Sequence, residues 1–180
     1  MSSLADLAKA VSALMGCRVV DLGRTLNMVE VGFERDGVTY RLHAQCPFRV
    51  VRGAQIVVGS GDMNYAKEHR ADRNVAYDPY ATMYDRTAKI LTEKFAAGEF
   101  PVIEAEMLEN GEIIIEITES VRFEVFPVCS GPVQSWRLFE KGSDVRYVYP
   151  ESADRESGEA VELAEKEPSG EHKGHLGDPS

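Results

Sequence analysis

Apolar and polar residues alternate along Leu26–Arg35 and again along Val38–Gln45, with Asp36-Gly37 between the two runs. Asp-Gly flanked by alternating runs is a strong hairpin signal, because both turn residues need positive φ. A two-residue loop pairs Phe33 with Tyr40, Val31 with Leu42 and Val29 with Ala44 on one apolar face. The same register sets Glu34 opposite Thr39 and Glu30 opposite His43 on the other face, with Arg41 beside them.

The pattern elsewhere predicts the remaining elements. Leu4, Leu7, Ala8, Val11, Leu14 and Met15 follow a helical stripe over Ser3–Met15, with Ser3 as cap, Asp6 as capping-box partner and Gly16 as stop. Cys17–Leu22 reads as a short strand closed by Gly23-Arg24. Pro47 has no N–H to give to a ladder, so pairing breaks at Cys46–Arg49. Val50-Val51 resumes it, and Ala54–Val58 completes a third strand. Ser60–Asp78 is polar and without clear periodicity, with room for a helical turn or two within Met63–Ala71. A loop of that length is uncommon unless it is functional or disordered. Asp78-Pro79 has the signature of a helix start. From there Tyr80, Tyr84, Ala88, Leu91 and Phe95 share one face up to Gly98.

Val102–Thr118 forms a second hairpin around Asn110-Gly111. A two-residue turn would press Glu104 and Glu106 against isoleucines, at a cost of several kcal/mol, on the order of an unpaired buried charge. A three-residue loop, Glu109–Gly111 with Gly111 left-handed, instead pairs Met107 with Ile113, Ala105 with Ile115 and Ile103 with Ile117. Val121–Phe126 is a further strand, followed by a turn on Ser130-Gly131-Pro132. Ser135–Phe139 and Val145–Tyr149 make a last hairpin around Lys141–Asp144. Two three-stranded runs, each preceded by a helix, loosely resemble one another. Together these elements predict an α+β fold of hairpin-linked antiparallel strands, with two helices packed on one face.

Charge is uneven along the chain and concentrates at the C-terminal end. Of 30 acids and 20 bases, residues 1–150 hold 21 and 17, and residues 151–180 hold 9 and 3. The excess is therefore −4 in the first part and −6 in the second. The organisation read from this is one domain over 1–150 and an acidic, disordered tail over 151–180. The acidic balance argues against sequence-independent binding to nucleic acid or to an anionic membrane and is compatible with a basic protein partner. Asp6 and Lys9 interrupt the N-terminal apolar pattern, and no apolar run approaches a membrane span. Cys17, Cys46 and Cys129 are odd in number and widely spaced, the pattern of reduced thiols. The cytoplasm is the expected compartment.

Candidate chemistry is sparse. His43 and Cys46 differ by an odd number of positions and so face opposite sides of a continuing strand. Gly59-Ser60-Gly61-Asp62 lacks the spacing of a phosphate loop and reads as a turn. No metal-ligand spacing, cofactor motif or nucleophile constellation is present, so the expectation is no cofactor and no metal. Glu30, Arg41 and His43 share a hairpin face that reads either as a solvated charge cluster or as a recognition surface. Trp136 reads either as a core residue or as an interface anchor.

The run Leu42-His43-Ala44-Gln45-Cys46-Pro47-Phe48-Arg49, with Gly59-Ser60-Gly61-Asp62-Met63 and Trp136-Arg137-Leu138-Phe139, resembles a group of uncharacterised small bacterial cytosolic proteins. That group carries Trp where this chain has Phe48. The resemblance implies a bacterial, cytosolic, single-domain protein and carries over no site residue. The function expected is a non-enzymatic protein-binding module of immunity or antitoxin type, its partner a basic protein or toxin, contacted by Arg41, His43, Arg49 and Trp136. The alternatives are a small-ligand-binding protein or enzyme with a pocket between the sheet and the 60–78 loop, converging on His43, Cys46 and Asp62, and a structural or assembly domain.

Overall fold

The computed structural model describes residues 3–66 and 78–150. The acidic tail and most of the predicted helical turns in Met63–Ala71 lie outside the described residues. Helix α1 (Leu4–Ser12) starts as expected: the Ser3 hydroxyl accepts from the Asp6 N–H, and the Asp6 carboxylate accepts from the Ser3 N–H at 2.9 Å. Strands β1 (Arg18–Thr25), β2 (Met28–Arg35) and β3 (Val38–Ala44) follow. The β2–β3 hairpin has the anticipated register throughout, from Phe33 opposite Tyr40 to Val29 opposite Ala44. Asp36 and Gly37 both have positive φ. Strand β1 does not stop at Leu22. Gly23 and Arg24 stay paired with Glu30 and Val29, because a strand already seated beside β2 gains ladder bonds that the local turn signal cannot match.

After Ala44 the chain leaves the first sheet. Instead of one third strand there is a hairpin of β4 (Phe48–Arg52) and β5 (Gln55–Gly59), turned at Gly53-Ala54, and it belongs to a second sheet. Helix α2 (Met83–Ala97) begins four residues later than its Asp-Pro signature indicated. Asp78 closes a turn instead, its side chain accepting from the Tyr80 N–H at 2.8 Å. Thr82 is the cap, in a reciprocal box with Asp85. Tyr80 is consequently exposed, while Tyr84, Ala88 and Phe95 are buried.

The β6 (Val102–Met107) and β7 (Ile113–Ile117) hairpin has the three-residue loop, with Gly111 at φ +82° and Leu108 N–H donating to Glu112 C=O at 2.8 Å. Met107 faces Ile113 and Ala105 faces Ile115. The third expected pair fails: a bulge at Ile103 puts Val102 opposite Ile117. Val102 is thereby buried and Ile103 is 61% exposed. The described chain closes with β8 (Val121–Val125), β9 (Trp136–Glu140) and β10 (Arg146–Tyr149).

The strand orders are β1-β2-β3-β9-β10 and, read from its other end, β6-β7-β8-β4-β5. The second is the first with the halves of the chain exchanged. The correspondence extends to register across the first four strands of each sheet, while the last pair differs, β4–β5 having a shift between Val50 and Val51 that β9–β10 lacks. Val19 opposite Phe33 matches Val102 opposite Ile117, and each is followed by a bulge. Leu42 opposite Leu138 matches Phe123 opposite Val50, and Ala44 opposite Trp136 matches Val125 opposite Phe48. At the crossover, Gln45 N–H donates to Ser135 C=O and Phe126 N–H to Pro47 C=O. The halves meet at Val19 N–H to Phe100 C=O, at 3.0 Å, and Val102 N–H to Cys17 C=O, at 2.8 Å. The fold is thus α+β, two antiparallel five-stranded sheets with two helices, built from two interlocked α-β-β-β-β-β units. Each unit lends its last hairpin to the sheet of the other. The helices obey the exchange too, α1 packing on β6 and β10 and α2 on β1 and β5. One continuous apolar cluster, from Leu7 to Leu138, joins the inner faces of both sheets.

Candidate functional site

Alternation along each strand puts polar side chains on the outer face of the first sheet. Pairing arranges them in two rows: Gly23, Glu30, His43, Arg137 and Val148, and beside it Asp21, Gly32, Arg41, Phe139 and Arg146. Acids stand on β1 and β2, bases on β3, β9 and β10. Arg41 reaches across Gly32 to an ion pair with Asp21. A Cβ at Gly32 would lie 2.7 Å from Asp21 Oδ1 and 2.8 Å from Arg41 Nη1, so this bridge depends on glycine there.

Arg137 donates from Nε at 3.1 Å, and Nη2 lies 2.9 Å from the same acceptor, Nδ1 of His43. A ring nitrogen facing a guanidinium can only accept, which puts the imidazole proton on Nε2. Burial lowers the His43 pKa; Glu30 opposes this, and Arg137, Arg41 and Arg146 reinforce it. The neutral ring packs edge-on against Phe139 with centroids 4.9 Å apart. The guanidinium groups of Arg137 and Arg146 stand 5.8 and 5.4 Å from the Phe139 ring centre. Phe139 is therefore a half-buried aromatic platform ringed by two guanidiniums and an imidazole.

The four residues expected to form a contact surface do not come together. Arg41 and His43 share this face. Arg49 lies on the other sheet, ion-paired with Glu124. Trp136 is fully buried, its Nε1–H donating to Gly111 C=O at 2.7 Å and its ring stacked on Tyr149 at 5.6 Å. It is a core residue, and an interface anchor cannot be one that its own fold encloses. The residues missed were Arg137, Phe139 and Arg146. Alternation with Trp136 placed Arg137 and Phe139 on the opposite face, but nothing local said that β9 would lie against β3.

Other candidates resolve into structure. Cys46 is half-buried, and desolvation pushes its thiol up to about 11, so at neutral pH it stays protonated and is a poor nucleophile. His43 is bonded to Arg137 and not to this thiol. Asp62 accepts from the Gly59 N–H at 2.9 Å, and Ser60 Oγ from the Phe48 N–H at 2.8 Å, fastening the turn after β5. A cavity of about 320 Å³ opens between α2 and the β4–β5 hairpin, lined by Val50, Leu91, Phe95 and Phe100 with Arg52 and Lys94. His43, Cys46 and Asp62 do not line it. Among the described residues no group of three or more His, Cys, Asp or Glu could hold a metal ion, and no helix is long and apolar enough to cross a membrane.

Compared with protein-family models, with curated proteins and with solved structures, the chain matches none of them, and the chemistry of this face rests on its own residues.

Proposed function

We propose that the chain is a cytoplasmic, non-enzymatic protein-binding module, of immunity or antitoxin type in its role, that docks its partner on the outer face of the first sheet. The observation that carries this reading is the cluster of Arg137, His43 and Arg146 around Phe139. Arginine and aromatic side chains dominate binding hot spots, because aromatics bring large contact area with few rotatable bonds and arginine brings a planar fork of directional donors. The high thiol pKa of Cys46 and the neutral, arginine-bound state of His43 suit a recognition surface better than a catalytic one. Net charge alone suggested a basic partner, but the cationic half of this face calls for an acidic segment.

The test is affinity capture from the native host using the wild-type chain and Arg146→Glu. The expected result is one stoichiometric protein with the wild type and its loss with the variant. Recovery of no stoichiometric partner, or equal recovery by both, would overturn the reading. A second reading, binding of a small apolar ligand, is favoured by the cavity beside α2, whose volume sits at the lower end of the range for ligand pockets.

A further inference from the structure

The duplicated architecture supplies an internal comparison for the cluster on the first sheet. By the register correspondence, Arg137 occupies the place of Arg49, Arg41 that of Arg122, and His43 that of Glu124. On the second sheet the two arginines converge on a carboxylate: Glu124 is paired with Arg49 and, at 2.5 Å, with Arg122. Arg49 also lies over an aromatic ring, 5.4 Å from the centre of Phe126, as Arg137 lies over Phe139. The first sheet has the same two arginines without that carboxylate. Its Arg41 is drawn away to Asp21 across Gly32, where the second sheet has Glu116. Arg137 is left with a neutral imidazole, and its Nη1 has no hydrogen-bond partner among the described residues. Arg146 adds a second, exposed guanidinium from the edge strand. The outward positions of β9 and β10 are Arg137, Phe139, Arg146 and Val148, without an acid.

We infer that Arg137 and Arg146, flanking Phe139, bind a carboxylate of an acidic protein segment, an Asp or Glu side chain that supplies to this sheet the counter-charge Glu124 supplies to the other. This rests on reading the face as a docking surface and adds the chemical class of what docks there. Arginine is suited to such binding, since its planar fork offers paired donors to a carboxylate, and charge-assisted bonds of this kind are about twice as strong as neutral ones. The bond to His43 holds the Arg137 side chain in place beforehand, which reduces the entropy lost on binding.

The experiment is an NMR titration of the full-length ¹⁵N-labelled chain with a blocked tri-glutamate peptide, observing the Arg137 Nε–H and the His43 ring. Blocked tri-lysine and inorganic phosphate at matched ionic strength are the controls. The expected result is a saturable shift with tri-glutamate alone. It should weaken by about tenfold or more in Arg137→Gln. It should also vanish in His43→Glu, which installs the carboxylate of the second sheet and should raise thermal stability. No shift, an equal shift with phosphate, or an undiminished shift in His43→Glu would overturn the inference. Arg137→Gln keeps the test open should the His43 variant fold poorly.

Host capture with the same variants separates this inference from the reading beneath it. A stoichiometric partner held equally by wild type and His43→Glu would leave the docking face standing and remove the carboxylate. Tri-glutamate binding without any host partner would do the reverse.

Discussion

Asp85→Ala tests how the second helix is tied to the first sheet. The Asp85 carboxylate accepts from the N–H and the hydroxyl of Thr82, both at 2.8 Å, and takes two bonds from Arg24 of β1, at 2.7 and 2.6 Å. Thr82 is fully buried, and the Arg24 side chain is only 8% exposed. Burial on its own would raise the Asp85 pKa, but the bonds from Arg24 and Thr82 outweigh it and bring the carboxyl down from 3.8 to about 2. That displacement corresponds to about 2 kcal/mol of stability at neutral pH after allowance for partial exposure. The bonds from Thr82 that complete the capping box are among those lowering the pKa and so are already within that figure; Asp85→Ala should therefore cost about 2 kcal/mol in urea unfolding at pH 7. The carboxyl is depressed in the folded state, so its contribution is complete above the unfolded pKa and fades as the pH falls through 3.8 towards 2. The gap between wild type and variant should therefore shrink between about pH 5 and pH 2. A loss below about 1 kcal/mol at pH 7, or a gap that stays constant into acid, would refute the assignment of Asp85 as the joint between α2 and β1.

Further outcomes follow from the core and the thiols. Gly111→Ala should destabilise by about 2 kcal/mol or more, from positive φ and from a Cβ that would fall within the Tyr149 ring; chemical denaturation measures the loss, and near-ultraviolet circular dichroism should report the disturbed Tyr149–Trp136 stack. Trp136→Phe should cost about 2–3 kcal/mol, because the smaller ring leaves a void and strips the Gly111 carbonyl of its donor; the emission of this single tryptophan should be blue-shifted in the folded wild type. A thiol-specific disulfide reagent at pH 8 should find one fast cysteine, removed by Cys129→Ser. Cys129 is exposed, Cys17 is buried, and at that pH only about one in a thousand Cys46 side chains is thiolate.

The two hairpins at Asp36-Gly37 and Asn110-Gly111 could be read from the chain because every determinant is local. Turn residues with positive φ and strict alternation leave one register that buries Val31 against Leu42 and Ala105 against Ile115. The Ser3 cap of α1 was legible for the same reason. The start of α2 was not, since Asp78-Pro79 and Thr82–Asp85 are both competent signals, and Asp85 is the one engaged by Arg24 from a distant strand. The bulge at Ile103 was likewise unreadable, because either Val102 or Ile103 can fill the inward position and packing between the two halves decides which does.

Alternation in the chain was enough to set which side chains share a strand face, except at the β6 bulge: His43 opposite Leu42 and Ala44, and Arg137 with Phe139 opposite Trp136 and Leu138. Tertiary structure alone decided that β9 lies beside β3, bringing Arg137 to a histidine 94 positions away. Alternation specifies the face of a strand and says nothing of its neighbour. That choice came from the exchange of terminal hairpins between two like units, a pairing in which each sheet is completed by residues from the other half of the chain.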